Sequence, residues 1–206
     1  MHCILCGSTS TAWMLSNRFY HCDICDCIMK PKSSFLTKNE EKGRYDLHKN
    51  DANECGYRAF VSPVVERIKK EQSCDAKGLD FGSGRDSAVV TQLQEVGYDI
   101  KSYDPYYFPD EEVLKRRYDY ISCTEVIEHF YRPQKEFQRL KDMLQEDGAL
   151  YIMTEIYSED NDFKNWYYKE DPTHVIFYTK KSFEWIKEHY GFKSLEINGR
   201  VIKLAL

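Results

Sequence analysis

Two cysteine pairs at metal-ligand spacing open the chain: Cys3 and Cys6, then Cys22 and Cys25, each pair enclosing two residues. Four thiolates so arranged match the two knuckles of a zinc ribbon, and a closed all-cysteine tetrahedral site is structural rather than catalytic. Gly7 follows the first knuckle, where a tight turn is needed. Cys27 is a fifth thiol that could replace Cys25 as a ligand. Iron in a rubredoxin-like site is the second reading of this donor set. A redox dithiol is the third, although neither pair opens a helix beside a sheet. Some thirty residues cannot bury a core alone, so a bound metal would supply the folding energy. Cys55, Cys74 and Cys123 are scattered and read as packed, inert thiols.

The second chemical feature is "LDFGSGRDS", residues 79–87. Glycines after a strand let the backbone approach a ligand and adopt positive φ. A dinucleotide fingerprint would use Gly82, Gly84 and a small third residue, but Ser87 stands at the third place. Asp104, about 20 residues on, is placed to accept from ribose hydroxyls of any adenosine-containing ligand. Asp80 discriminates. A carboxylate just before the loop opposes a pyrophosphate and suits a ligand carrying an ammonium and a sulfonium, as S-adenosylmethionine (SAM) does. The same carboxylate could instead cap loop amides.

The elements that must position these residues alternate in type. Tyr57, Phe60, Val61, Val64, Val65 and Ile68 fall on one helical face, with Pro63 marking its first turns or a kink. "KGLDF" reads as a buried strand. "SAVVTQLQEV" is a helix stopped by Gly97, and "DIKSYD" and "YDYISCTEV" are further strands. "PQKEFQRLKDMLQEDG" reads as a helix begun by Pro133 and ended before Gly148, with Phe137, Leu140 and Leu144 as its apolar stripe. "ALYIMTEI" is a strand, and a helix follows between an N-cap at Thr179 and a C-cap at Gly191. Asn198-Gly199 marks a two-residue hairpin between the last two strands. This rhythm implies an α/β domain with a parallel sheet covered on both faces and a terminal antiparallel hairpin.

In this order the motifs resemble class I SAM-dependent methyltransferases. Residues 79–86 resemble the family's first motif. "YDYISCTEVIEHF" resembles the fourth-strand segment of its ubiquinone-biosynthesis-like branch, "LQEDGALYIMTE" the turn into the fifth strand, and "FKSLEINGRVIKLAL" the closing hairpin. The resemblance covers about residues 57–206. It implies a Rossmann-like sheet and a cofactor site on Asp80, Gly82, Ser83, Gly84, Asp104, Thr124 and Glu125. Only "PYYFPDEEVLKRR" separates Asp104 from the fourth strand, too little for the family's helix and third strand. The third-strand region is therefore expected to be reduced, leaving Tyr106 and Asp110 as the candidates for contacts near the adenine.

Methyl transfer from a sulfonium is an in-line displacement that rests on positioning, with a base needed where the acceptor arrives protonated. His129, beside Glu125 and Glu128, and His174 in "EDPTHVIFYT" are the candidate bases; a structural role is the alternative for each. Tyr157, Trp166, Tyr167 and Tyr168 could wall a substrate pocket or form a local core. His48 belongs to the lid or to a solvated linker.

The expected division is a zinc ribbon over 1–31, a linker or lid over 32–56 and a SAM-binding domain over 57–206. With 206 residues, 42% hydrophobic and 31% charged, the chain reads as globular. Its net charge of −5 speaks against a broad polyanion-binding surface. Neither a signal sequence nor a membrane span is evident, and a cytoplasmic, reducing setting is expected. The leading function is methyl transfer to a small-molecule acceptor, sugar-like or another metabolite. An RNA methyltransferase docking through its ribbon, a non-catalytic SAM-binding or zinc scaffold, and a dehydrogenase are the alternatives. The ribbon offers only Arg18, Lys30 and nearby Lys32 to RNA, and the fourth strand ends in "SCTE" rather than the motif used on exocyclic base amines.

Overall fold

The computed structural model describes residues 2–47, 50–158 and 162–206. His48 lies outside the described residues. Three short strands open the chain, β1 (Thr11–Met14), β2 (Phe19–Cys22) and β3 (Ile28–Met29). Helix α1 (Lys38–Tyr45) starts in a reciprocal capping box between Thr37 and Glu40. Helix α2 (Cys55–Glu71) buries Val61, Val64, Val65 and Ile68, the face its spacing announces. Pro63 sits well inside α2, where it removes the hydrogen bond to the Ala59 carbonyl. The Ser62 hydroxyl donates to that carbonyl at 2.8 Å, which is why the helix continues.

Strands β4 (Lys77–Phe81), β5 (Asp99–Tyr103), β6 (Tyr118–Thr124), β7 (Leu144–Met153), β9 (Ser194–Asn198) and β10 (Val201–Ala205) form one six-stranded sheet. Its order is β5-β4-β6-β7-β10-β9, with the first four strands parallel and β10 antiparallel to both β7 and β9. Helices α3 (Ala88–Gln94), α4 (Pro133–Asp142) and α5 (Lys180–Tyr190) complete the covering layers. The Rossmann-like order, the closing hairpin and the missing third strand all follow the sequence reading. Between β5 and β6 the chain makes only a bridge from Asp104 to Phe108 and a short 3-10 turn over Val113–Lys115.

Two boundaries differ from expectation. Helix α4 stops at Asp142, because Leu144 pairs with Tyr118 and starts β7 early, with a register shift before Ala149. In the closing hairpin Asn198 still pairs with Val201, so the turn residues are Gly199 and Arg200. Gly199 has φ 58°, while Arg200 is not among the positive-φ residues, as a turn with glycine in its first central place requires.

The ribbon does not stand apart. A two-residue strand, β8 (Ile176–Phe177), pairs with β3 and extends the ribbon to four strands, Ile28 opposite Phe177 and Met29 opposite Ile176. The Lys30 amide donates to the Val175 carbonyl at 2.9 Å. Asp26 accepts from Thr179, the N-cap of α5, at 2.8 Å. Leu5 and the buried cysteines share one core with Phe137, Tyr178, Phe183 and Tyr190. Cys123 is buried as expected, but Cys55 and Cys74 are exposed, at the start of α2 and in the loop before β4. No helix among the described residues is long and apolar enough to cross a membrane.

Gly78 lies beside Tyr120 on the neighbouring strand, and a methyl group there would come within 2.3 Å of the buried phenol ring. Gly78→Ala should therefore destabilise the domain by about 1–3 kcal/mol, read from urea unfolding, through overpacking of a ring that has nowhere to go.

Candidate active site

A cavity of about 1230 Å³ opens at the carboxyl ends of β4, β5 and β6, where ligands of open α/β sheets bind. The loop Gly82–Gly84 forms its floor. Gly82 and Gly84 have φ 79° and 66°, conformations in which a side chain is strained. A Cβ on Gly82 would also meet Val126 at 2.6 Å. The loop amides are already committed: Gly82 and Ser83 donate to the Tyr103 carbonyl, and Gly84 to Asp104 at 3.0 Å. A pyrophosphate would find no free amide cradle in these three residues and would face the Asp104 carboxylate, so the loop disfavours a dinucleotide.

Asp104 lines the cavity, and its other oxygen accepts from the Tyr106 and Tyr107 amides at 2.8 and 3.1 Å. Asp80 does not reach the wall. It is 3% exposed and lies beneath the loop, accepting from Ser122 at 2.6 Å and Ser87 at 2.7 Å. Burial pushes its carboxyl above the usual range, against those two hydrogen bonds. Ser87 is also the N-cap of α3, so Asp80 ties loop, helix and β6 together. Thr124, at the end of β6, lines the cavity, and its buried hydroxyl has no hydrogen-bond partner among the described residues. An orphaned hydroxyl beside a glycine cradle fits a polar ligand seated there.

Helix α1 and Asp46 line the cavity on its far side. Glu41 of α1 accepts from Tyr106 at 2.7 Å, and Asp46 accepts from Tyr107 and Arg85, each at 2.7 Å. Tyr106 therefore stands on the wall, whereas Asp110 does not.

At the other end of the cavity His129 and His174 meet, with ring centres 4.8 Å apart. His129 Nδ1 lies 3.1 Å from the Thr173 carbonyl, and His174 Nδ1 lies 2.8 Å from the Tyr168 carbonyl. A carbonyl only accepts, so each Nδ1 carries the hydrogen and each Nε2 keeps its lone pair. Burial lowers both imidazole pKa values, and for His174 the neighbouring His129 adds to the effect.

Behind them stand two carboxylates that share the Tyr168 hydroxyl. It lies against Glu128 and 3.2 Å from Glu125. Burial, chiefly, pushes both carboxyls above the usual range, and Glu128 adds to the shift of Glu125. Arg200 pairs with Glu125 at 2.8 Å, while Thr154 donates to Glu128 at 3.1 Å. Glu125 itself has φ 53°, a left-handed conformation for a non-glycine residue. The sequence reading missed Arg200, since Asn198-Gly199 signalled only a turn. It named Glu128 as a neighbour without a role, although Glu125, Glu128 and His129 are spaced to converge on one helical turn. Of the aromatic run, Tyr167 and Tyr168 reach the cavity; Trp166 packs with Phe19, Phe163 and Phe177 in a local core, and Tyr157 packs against it.

The profile of a family described as "Methyltransferase domain" matches residues 53–197. The chain belongs to this family. Solved structures share the fold at low identity. Magnesium protoporphyrin IX methyltransferase from Synechocystis PCC 6803 with bound S-adenosylhomocysteine gives a TM-score of 0.57 at 13% identity, covering 84% of this chain and 96% of that one. Human N-acetylserotonin methyltransferase in complex with SAM gives 0.56 at 10%, covering 82% and 56%. A Burkholderia thailandensis 1,6-didemethyltoxoflavin-N1-methyltransferase gives 0.50 at 12%, covering 90% and 97%. No curated protein sequence matches the chain. The chain is a SAM-dependent methyltransferase, with its cleft at the carboxyl ends of the strands.

Because Gly82 touches Val126 through the space a Cβ would fill, Gly82→Ala should weaken SAM binding at least tenfold by calorimetry. Adding Val126→Ala should restore part of that loss, since the clash goes but the positive φ remains.

Proposed function

We propose that the protein transfers a methyl group from SAM to a small-molecule acceptor and that its amino-terminal cysteines hold a structural zinc ion. The observation that carries the first part is the two-ended lining of one cleft. The glycine loop, Asp104 and Thr124 hold the cofactor at one end, α1 covers it, and Tyr45, Tyr168 and the two histidines bound a second compartment. That compartment suits a compact molecule better than a polynucleotide, which needs an open basic groove.

When bound, SAM supplies a methyl group activated by its sulfonium. The chain's residues then position and exclude. Asp104 retains lone pairs toward the cavity for ribose hydroxyls, and the Thr124 hydroxyl is free to donate or accept. Glu125, paired with Arg200, presents its carboxyl to the cleft, where a cationic ligand would favour the ionised form against the effect of burial. Asp80 fixes the loop from beneath. His129 and His174 activate the acceptor through their Nε2 lone pairs, the role their positions suggest. Replacing either with alanine should lower turnover by about 100-fold, within the general acid–base range, with SAM affinity unchanged.

The donor set fits zinc. The sulfurs of Cys3, Cys6, Cys22 and Cys25 all lie within 4.8 Å of one another, with Cys3 to Cys25 at 3.5 Å and Cys6 to Cys22 at 3.4 Å. Zn–S bonds of about 2.3 Å place the corners of a tetrahedron roughly 3.8 Å apart. Cys27 is fully buried, 3.6 Å from Cys3 and 3.4 Å from Cys25. It stands outside the group of four and supports it by thiol contacts. The division into ribbon (1–31), lid (32–56) and catalytic domain (57–206) fits this reading, and a reducing cytoplasmic setting would keep the five thiols available.

Calorimetry with SAM, S-adenosylhomocysteine and NAD tests the main reading: the first two should bind and NAD should not. Failure of both to bind would overturn it. Metal analysis should find one zinc per ribbon, lost in Cys6→Ser with Cys22→Ser, whereas Cys27→Ser should retain it. Because β3 supports the segment that carries His174, the double variant should lose turnover more than SAM affinity.

A further inference from the structure

Glu128 is wholly buried, and no cation pairs with it among the described residues. Buried carboxylates are ordinarily paired or bound to metal. Arg200 serves Glu125 and Glu155, not Glu128. One oxygen of Glu128 and one nitrogen each of His129 and His174 lie within 4.8 Å of one another.

The surroundings of these three groups are those of metal ligands. Both imidazoles donate Nδ1–H to backbone carbonyls, which fixes the ring and leaves Nε2 as the donor atom. No hydrogen bond occupies either Nε2 among the described residues. Glu128 is oriented by Tyr168 and Thr154, and each of its oxygens keeps a further lone pair. Glu125 stands one hydroxyl away, on the other side of Tyr168.

We propose that Glu128, His129 and His174 hold a divalent first-row transition ion at the acceptor end of the cavity, and that the acceptor is an alcohol or phenol whose oxygen binds that ion. Two imidazoles and one carboxylate favour such an ion over magnesium or calcium. Three protein ligands leave positions open toward the cavity, where the histidines line the wall. This deepens the methyltransferase reading and rests on it. Coordination lowers the pKa of the hydroxyl, so its proton passes to water. The oxygen lone pair then forms the new O–C bond while the C–S bond breaks, its electron pair staying on sulfur to give S-adenosylhomocysteine. The Nε2 lone pairs of the histidines thus act on the acceptor through the ion.

The test uses full-length protein with the ribbon loaded with zinc and the second site cleared by brief EDTA dialysis. Cobalt(II) titration should add one equivalent with visible ligand-field bands and without the near-ultraviolet sulfur-to-cobalt bands of a thiolate site. Acetohydroxamate, a bidentate oxygen probe, should shift those bands by filling the open positions. His174→Gln and His129→Gln should each weaken cobalt binding at least 100-fold while SAM still binds by calorimetry. For a variant that fails to fold, the wild-type melting temperature decides: manganese(II) or cobalt(II) should raise it after EDTA dialysis. Absence of a second cobalt equivalent, its survival in both variants, or no thermal response overturns the metal site. A bound cobalt blind to acetohydroxamate overturns the acceptor role. Loss of SAM binding in the wild type would instead strike the methyltransferase reading, which the metal results leave untouched.

Discussion

The pairing of β3 with β8 is the contact on which the histidine end of the cavity depends. Two residues of the ribbon, Ile28 and Met29, hydrogen-bond to a strand that follows His174 by one residue. Lys30 continues the contact, its amide on Val175 and its ammonium on the Asp171 carbonyl. Without the ribbon, the segment from Asp171 to Phe177 would be a surface loop with unpaired backbone groups on one side. With it, the loop becomes a strand edge, and His174 is held where His129 meets it. The cysteine module therefore braces, from outside the cavity, the segment that carries His174. That explains how a chain with so few basic residues in its ribbon uses the ribbon at all.

The glycine-loop end is governed by a different economy of polar groups. Its loop amides are satisfied from within, by the Tyr103 carbonyl and Asp104, and its acidic residue Asp80 is satisfied by two serines. The loop is preorganised before any ligand arrives. The Thr124 hydroxyl, which has no partner among the described residues, belongs to a residue that lines the cavity, as do His129 and His174. The division between satisfied scaffold and unsatisfied wall separates positioning from recognition in this site.

Much of this was legible in the sequence because it is local. Thr179 and Gly191 bound α5, Gly97 ends the helix after the loop, and the short stretch after Asp104 announced the absent strand. The nonlocal features were not legible. Asp80 was read as facing the ligand, since nothing in the chain says that Ser122, on another strand, will meet it. The end of α4 is not legible because Leu144 fits both a helical stripe and a strand, and only its pairing with Tyr118 decides between them. Arg200 was invisible for a related reason: a one-residue shift in the hairpin turned a strand residue into the one that reaches Glu125.

The β3–β8 contact also has a bearing on the order of assembly. The two strands are separated by roughly 150 residues of chain, nearly the whole catalytic domain. The four cysteines are close in sequence and emerge during synthesis well before their partner strand. Closing so long a loop is entropically costly, so the contact comes after the parallel sheet has brought its ends together. The histidine wall is thus completed late, when the domain that needs it already exists.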